Sequence, residues 1–338
     1  MKPAYIADLQ PDQSITSFFL VRAKEIRTSP NTGKAWLQLE LADRSGAIEA
    51  KMWENFADVA ASFECDDIVK IRARVKVYHG RNELTVEHIR VAAETEYKLE
   101  DFLPHTKYDI EQLYARLIEI VGSVGEPSLR RLLASIVEDP AIAPKLKRAP
   151  AAVTMHHAYI GGLLEHVVSL CGLCRLAAQH YPEVNLDLLL AGAILHDIGK
   201  IGELGYDRAF RYTTEGQLLG HIVMAVALVR KKAEVIEGFP SELRTLVEHL
   251  LVSHHGSFEF GSPRPPMFRE AVLLHYLDDL DSKMGAMRAT LESPEGEEEW
   301  TARNPSLRRA LLRAEEYLQG ESKQEKTGLP QSQAAKRG

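Results

Sequence analysis

The chain has 338 residues, 45% of them apolar and 26% charged, with a formal net charge of −7. That length gives room for two domains of ordinary globular composition, and the negative balance excludes nucleic-acid binding by global positive charge, leaving a local basic groove or bound cations. The start, MKPAYIADLQ, has no apolar signal core, the longest apolar run, Leu188 to Leu195, is too short to span a bilayer, and three cysteines fit a reducing cytoplasm rather than a disulfide framework.

Residues 14–93 read as strands. The runs SFFLVRAKEIR, KAWLQLELADR, GAIEAKMWE, DIVKIRARVKVYH and NELTVEHIRVA alternate apolar with polar residues between turns rich in Gly, Asn and Asp. Five antiparallel strands, with a short helix over Asn55 to Phe63 between the third and fourth, match the oligonucleotide-binding (OB) fold, a small Greek-key barrel. Such barrels take single strands on aromatic platforms beside a basic groove. The candidates are Trp36, Trp53 and Tyr78, with Arg22, Lys51, Arg72, Arg74 and Arg81. The ordinary role of each aromatic is to fill the barrel, and of each charge to solvate it. Twelve Lys/Arg against eleven Asp/Glu over 14–93 leave this barrel nearly neutral.

From Glu100 to Pro150 the period becomes helical, in DIEQLYARLIEIVGSV and PSLRRLLASIVED. Asp109 and Glu126-Pro127 are the expected starts, and Pro140 and Pro144 stop the second helix. The loop LKRAPAA holds Lys145, Lys147 and Arg148, with Lys147 and Arg148 candidate phosphate contacts. Beyond it the chain reads as all-α, with apolar helical runs over 160–180, 184–198, 217–236, 241–254, 268–285 and 305–318. The expected division is an N-terminal segment 1–13, a barrel 14–95, a helical connector 96–150, a helical domain 151–318 and a disordered polar tail 319–338.

The helical domain concentrates ligand-type side chains. His166 sits on an apolar run; His196-Asp197 follow LLLAGAIL, with Gly199 as the expected helix terminator and Lys200 beside it. His221, His254-His255 and the acids Asp278, Asp279 and Asp281 come next. A buried carboxylate beside a buried imidazole is costly unless paired or bound to a cation. One histidine on an apolar face is ordinarily a satisfied core residue, but five clusters in apolar helical runs read together as a metal site within a bundle. His249 and His275 read as packing residues, and Cys171-x-x-Cys174, lacking a second pair, as small core residues.

The order His…His-Asp…His…His-His…Asp resembles the HD superfamily of metal-dependent phosphohydrolases. The segments HHAYIGGLLEHVVSL, HDIGKIGEL, YTTEGQLLGHIVM, SHHGSFEFGSP and LDDLDSKM, downstream of an OB barrel, are similar to the YhaM-type 3′-5′ exoribonucleases over residues 14–318. The resemblance implies an α+β multidomain chain: a five-stranded OB-fold β-barrel followed by an all-α HD-domain bundle. It implies that His166, His196, Asp197 and Asp278 hold one divalent ion, and that Asp197 bridges to a second held by His221, His254 and His255. Asp278 rather than Asp279 or Asp281 follows from the family's Asp-x-x-Asp spacing, which leaves Asp281 to a supporting or capping role. Manganese is the implied ion, with cobalt and iron as alternatives.

Two metals suit a phosphodiester because the scissile phosphate is anionic and repels hydroxide, while water at neutral pH is a poor nucleophile. A metal pair about 3.5–4 Å apart activates water and stabilises both attacking and leaving oxygens. With Asp197 at its centre and Lys200 to neutralise developing charge, the site is expected to release nucleoside 5′-monophosphates from the 3′ end of single-stranded RNA, with single-stranded DNA a further substrate. His157 and Arg211 are further substrate-contact candidates, and Arg208 a phosphate clamp. The family likeness suits a homo-oligomer and no membrane. Two other readings are a phosphohydrolase of small nucleotides or cyclic dinucleotides, which would need no strand-binding barrel, and a non-catalytic single-strand-binding protein, which would need no dinuclear site.

Overall fold

The structure, a computed structural model, describes residues 2–29, 32–78, 80–153, 159–206, 210–292, 299–304 and 307–318. Expectations for His157, Arg208 and the tail beyond 318 fall outside these residues. Five strands, β1 (Ser14–Thr28), β2 (Ala35–Asp43), β3 (Gly46–Met52), β4 (Ile68–Tyr78) and β5 (Arg81–Val91), form a closed barrel in the order β1-β2-β3-β5-β4. All pairs are antiparallel except β3 with β5. A short helix α1 (Phe56–Ala60) links β3 to β4, close to the expected position.

The long strand β1 closes the barrel by serving two partners. Ser14 to Leu20 pair with β4, Leu20 to Thr28 pair with β2, and a register shift between Val21 and Ala23 bends the strand from one to the other. Its run Phe18-Phe19-Leu20-Val21 is buried throughout because both faces are covered. Phe19 and Val21 join the barrel core with Leu37, Leu39, Leu41, Ile71 and Leu84. Phe18 and Leu20, with Ile68 and Ala92, belong instead to the core of the helical region.

That region holds α2 (Ile110–Gly122), α3 (Pro127–Val137), α4 (Ala143–Arg148), α5 (Gly162–His180), α6 (Leu186–Leu195), α7 (Lys200–Glu203), α8 (Thr214–Glu234), α9 (Ser241–Ser253) and α10 (Arg269–Glu292). Two-residue strands β6 (Leu204–Gly205) and β7 (Arg211–Tyr212) pair between α7 and α8. Asp109 caps α2 by accepting from the Gln112 amide at 2.9 Å, and Glu126 caps α3 by accepting from Leu129 at 2.5 Å, as the sequence suggested. The most apolar helix, α6, is buried on nearly every side and packs against α3, α5, α9 and α10. No helix among the described residues is long and apolar enough to cross a membrane.

Four expectations are corrected. Pro144 does not stop α3, which ends at Val137, but opens α4, where a proline lacks only an amide that would be unpaired anyway. Lys145, Lys147 and Arg148 therefore sit on a helix and not in a loop. Gly199 does not terminate the helix before it: α6 ends at Leu195 and Gly199 precedes α7, so His196 and Asp197 occupy the tight turn between them. Of the described residues in the 305–318 run, 314–318 are helical, while Arg309 bridges to Asn304 and Leu312 to Trp300, so the run is not one helix.

Candidate metal centre

The turn between α6 and α7 places His196 and Asp197 where α5, α8, α9 and α10 converge. His166, the fifth residue of α5, puts Nε2 3.3 Å from His196 Nε2 and 3.1 Å from Asp278 Oδ1 of α10. Asp197 Oδ2 lies 3.2 Å from His196 Nε2, while Oδ1 lies 3.3 Å from His221 Nε2 and 3.8 Å from His254 Nε2. The two carboxylate oxygens thus face two histidine groups. Ligand atoms of His166, His196 and Asp197 lie within 4.8 Å of one another, as do those of His221, His254 and His255. All seven expected ligand residues come together, and Asp279 instead pairs with Lys283 at 2.6 Å on the outer face of α10.

Every histidine of the set is anchored through Nδ1. His166 Nδ1 meets Asp281 Oδ2 at 2.8 Å, His196 the Ala193 carbonyl at 3.0 Å, His221 Glu203 Oε1 at 3.2 Å, His254 the Leu251 carbonyl at 2.7 Å, and His255 the Phe260 carbonyl at 2.7 Å. Carbonyls and carboxylates only accept, so each ring donates Nδ1–H and aims Nε2 into the centre, the arrangement that fixes tautomer and orientation in metal-ligating histidines. Asp281, which Ser169 Oγ also engages at 2.6 Å, takes the supporting role.

The donor set fits a divalent cation. Asp197 Oδ1, His221 Nε2 and His254 Nε2 are buried with no hydrogen-bond partner among the described residues. Such orphaned atoms are rare because each costs its full desolvation, and here three converge on one point. Burial opposes charge on Asp197, but Lys200, His196 and His221 outweigh it and hold the carboxyl well below the usual range. Burial, with His196 and His255 nearby, pushes His254 down, so that it is a neutral imidazole. Burial lowers His166 as well, yet Asp278 and Asp281 overcome it and raise the group to about 10.

Lys200 Nζ donates to Asp197 Oδ2 at 2.7 Å with its side chain largely buried, so it is not the exposed residue that its place after a helix end suggests. Although burial lowers it, Asp197 raises its pKa overall and it stays charged.

Several contributors were not singled out in the sequence. Glu203, buried at the end of α7, accepts from the His221 backbone amide at 2.9 Å as well as from its ring. The amide is available because Gly220 has φ 72° and ψ 157°, which breaks α8 just before His221; a side chain there would be strained. His275, read from the sequence as a packing residue, donates Nδ1–H to the His254 carbonyl at 2.9 Å and so steadies the His254-His255 turn. A buried acid in IGEL and a glycine before His221 were the available signals. Cys171 and Cys174 are buried, and burial pushes the Cys171 thiol up to about 12, consistent with inert packing.

The barrel candidates divide. Trp36 and Trp53 stack outside the barrel core with centroids 5.2 Å apart, Trp53 being 37% exposed. Tyr78 is 60% exposed beneath Lys51 Nζ, 5.0 Å from its ring. None of the three fills the barrel. The cations are mostly occupied: Arg72 lies 3.1 Å from Glu87, Arg74 3.5 Å from Asp12, Lys51 2.5 Å from Glu83 and Arg22 3.9 Å from Glu40. Lys147 pairs with Glu111 at 2.6 Å, and Arg211 faces Asp66 of the barrel at 3.9 Å.

The comparisons with known proteins agree with this geometry. The HD domain family matches residues 163–283, and the OB-fold nucleic acid binding domain family matches 20–92. The 3′-5′ exoribonuclease YhaM of Bacillus velezensis is 37% identical over 281 residues, covering 83% of this chain and 88% of that protein. That of Bacillus subtilis is 36% identical over the same shares, and that of a Geobacillus species 35% identical, covering 85% and 88%.

Proposed function

The chain belongs to the YhaM 3′-5′ exoribonuclease family, and from that premise we propose that it hydrolyses single-stranded RNA from the 3′ end to nucleoside 5′-monophosphates, with divalent ions held by His166, His196, Asp197, Asp278, His221, His254 and His255. The observation that carries this reading is the convergence of five Nδ1-anchored imidazoles on Asp197, with Asp197 Oδ1, His221 Nε2 and His254 Nε2 buried without a hydrogen-bond partner among the described residues. The two oxygens of Asp197, facing two ligand groups, support two ions. A set richer in imidazole than carboxylate suits a borderline ion such as manganese, cobalt or iron better than magnesium. Three free cysteines suit a reducing cytoplasm.

When bound, such ions activate water and offset charge on the phosphoryl oxygens. The protein's own groups do the rest. Asp197 stays ionised between Lys200, His196 and His221, and Lys200 keeps its proton beside the site where the anionic phosphate must enter. Trp36, Trp53 and Tyr78 offer stacking faces that tolerate any base, which is what degradation without sequence preference needs. The domain division at 95/96 and 150/151 is part of the same proposal, supported by β5 ending at Val91 and α5 beginning at Gly162. A homo-oligomer is supported by Val272, Tyr276, Leu280 and Met284, exposed apolar residues at four-residue spacing along α10.

The test is single-stranded RNA labelled at its 5′ end, incubated with the protein and manganese. A ladder shortening from the 3′ end is expected, absent with EDTA, with Asp197→Ala or with a blocked 3′ end. Intact RNA in every lane, from protein shown to carry metal, overturns the exonuclease reading in favour of small nucleotides.

A further inference from the structure

Four candidate cations of the barrel are poorly placed to grip a phosphate backbone, because Arg22, Lys51, Arg72 and Arg74 each lie against a carboxylate. Other cations have no ion-pair partner among the described residues, Lys34, Lys76 and Arg81 of the barrel included, and three of them gather in one place. A cleft of about 1010 Å³ opens between the barrel and the helical region, with Arg44 and Lys98 on one wall and Arg148 and Ile160 on the other. Arg44, Lys98 and Arg148 are all exposed, and none has an ion-pair partner among the described residues. Arg44 is instead held over the Tyr5 ring at 4.5 Å, which positions a guanidinium without neutralising it. His105 lines the same cleft and bridges to Ile160, so the two walls meet there. Two carboxylates, Glu94 and Glu100, also line it, leaving the three fixed cations in excess.

We propose that this cleft is the backbone-binding channel of the enzyme, in which Arg44, Lys98 and Arg148 contact successive phosphates of single-stranded RNA between the barrel and the metal centre. The inference rests on the exoribonuclease reading and adds a site to it. Division of labour follows from the chemistry: stacking on Trp36 and Trp53 needs flat apolar faces, whereas holding a polyanion needs cations not already paired with a carboxylate. The position suits a path to the centre. Ile160 on the helical wall is separated only by Gly161 from α5, whose fifth residue is His166. The sequence offered Arg148 as a phosphate contact but gave no signal for Arg44 or Lys98, since the three come from separate segments of the chain.

The experiment is equilibrium binding of fluorescent, 3′-blocked single-stranded RNA to the full manganese-loaded chain across a salt series. The variants are Arg44→Glu, Lys98→Glu and Arg148→Glu, singly and together, with Arg72→Glu/Arg74→Glu for the barrel face and Arg116→Ala as control. Removal of one phosphate-binding cation should flatten the dependence of log affinity on log salt by ~0.7, and removal of all three by roughly two. Arg116, paired with Glu119 at 2.8 Å on exposed α2, should behave as the parent. If a charge-reversed chain fails to fold by circular dichroism, Lys98→Ala/Arg148→Ala should still flatten the slope by ~1.4. Unchanged binding by the folded cleft variants overturns the channel, and weakening confined to Arg72→Glu/Arg74→Glu moves the strand to the barrel face. A parent chain that does not bind RNA removes the exoribonuclease reading and the channel with it.

Discussion

Glu203 shows how much of the centre depends on groups that never touch a metal. It accepts both the ring and the backbone amide of His221, so Glu203→Ala frees the imidazole to rotate and to change tautomer. Supporting residues of this kind are worth about 10–100-fold in metal affinity or activity. Metal titration of Glu203→Ala should show a loss of that order, and Glu203→Gln, which keeps an acceptor oxygen, a smaller one; equal affinities would remove Glu203 from the centre. A second outcome concerns protons. Asp278 and Asp281 raise His166 to about 10 against the opposing effect of burial, so at neutral pH the ring is protonated and a cation must displace that proton. Loading should release protons into a weakly buffered, indicator-containing solution, and affinity should rise with pH through the neutral range. The ligand types and their order could be read in the sequence because histidine and aspartate in apolar runs are conspicuous. Glu203 offered only the weak signal of an acid in the IGEL run, since a lone glutamate near a helix end is ordinarily a solvated one.

At the level of elements, the centre is built by close approach of backbones. A Cβ on Gly199 would lie 2.0 Å from the His221 carbonyl oxygen, so α7 and α8 can approach as they do only with glycine there. Gly199→Ala must separate the two helices or distort the turn holding Asp197. Overpacking of this kind costs about 1–3 kcal/mol, and thermal unfolding of the variant should show a lowered midpoint together with reduced metal content. An unchanged midpoint and full loading would mean the helices have slack that the structure does not show. Period alone placed the five strands and most helices well, because barrel and bundle each bury one regular face. It misplaced the end of α6, where the expected helical run continues through His196 and Asp197 to Ile198 although the helix stops at Leu195. It also misread the start of the 305–318 run, where Arg309 and Leu312 pair across a reversal and only 314–318 are helical among the described residues. In both places tertiary packing outweighs local pattern.

For the whole molecule, the apolar row along α10 predicts self-association. Tyr276→Glu/Leu280→Glu should lower the sedimentation mass of the chain while leaving its circular dichroism intact. A parent chain that sediments as a monomer at micromolar concentration would leave that row without the assigned role. The proposed stacking platform, cationic cleft and metal centre lie in different parts of the chain; the first and last were legible in sequence, and of the cleft only Arg148 was. The cleft arises where two units meet, and no pattern within either one encodes it.

Phe18, Leu20, Ile68 and Ala92 come from the barrel yet lie in the same apolar core as α2 to α10. The barrel is therefore seated on the bundle and not tethered to it, and the distance from the Trp36–Trp53 stack to Asp197 is set by packing. A seated barrel behaves as a gauge. On the proposed reading, while the RNA is long enough to reach both places, each cut leaves the remainder gripped at the same two points. Once it is shorter than the span, the barrel end lets go and only the centre holds it. Degradation ladders should accordingly pile up at one short length whatever the starting length, and Trp53→Ala should weaken that accumulation.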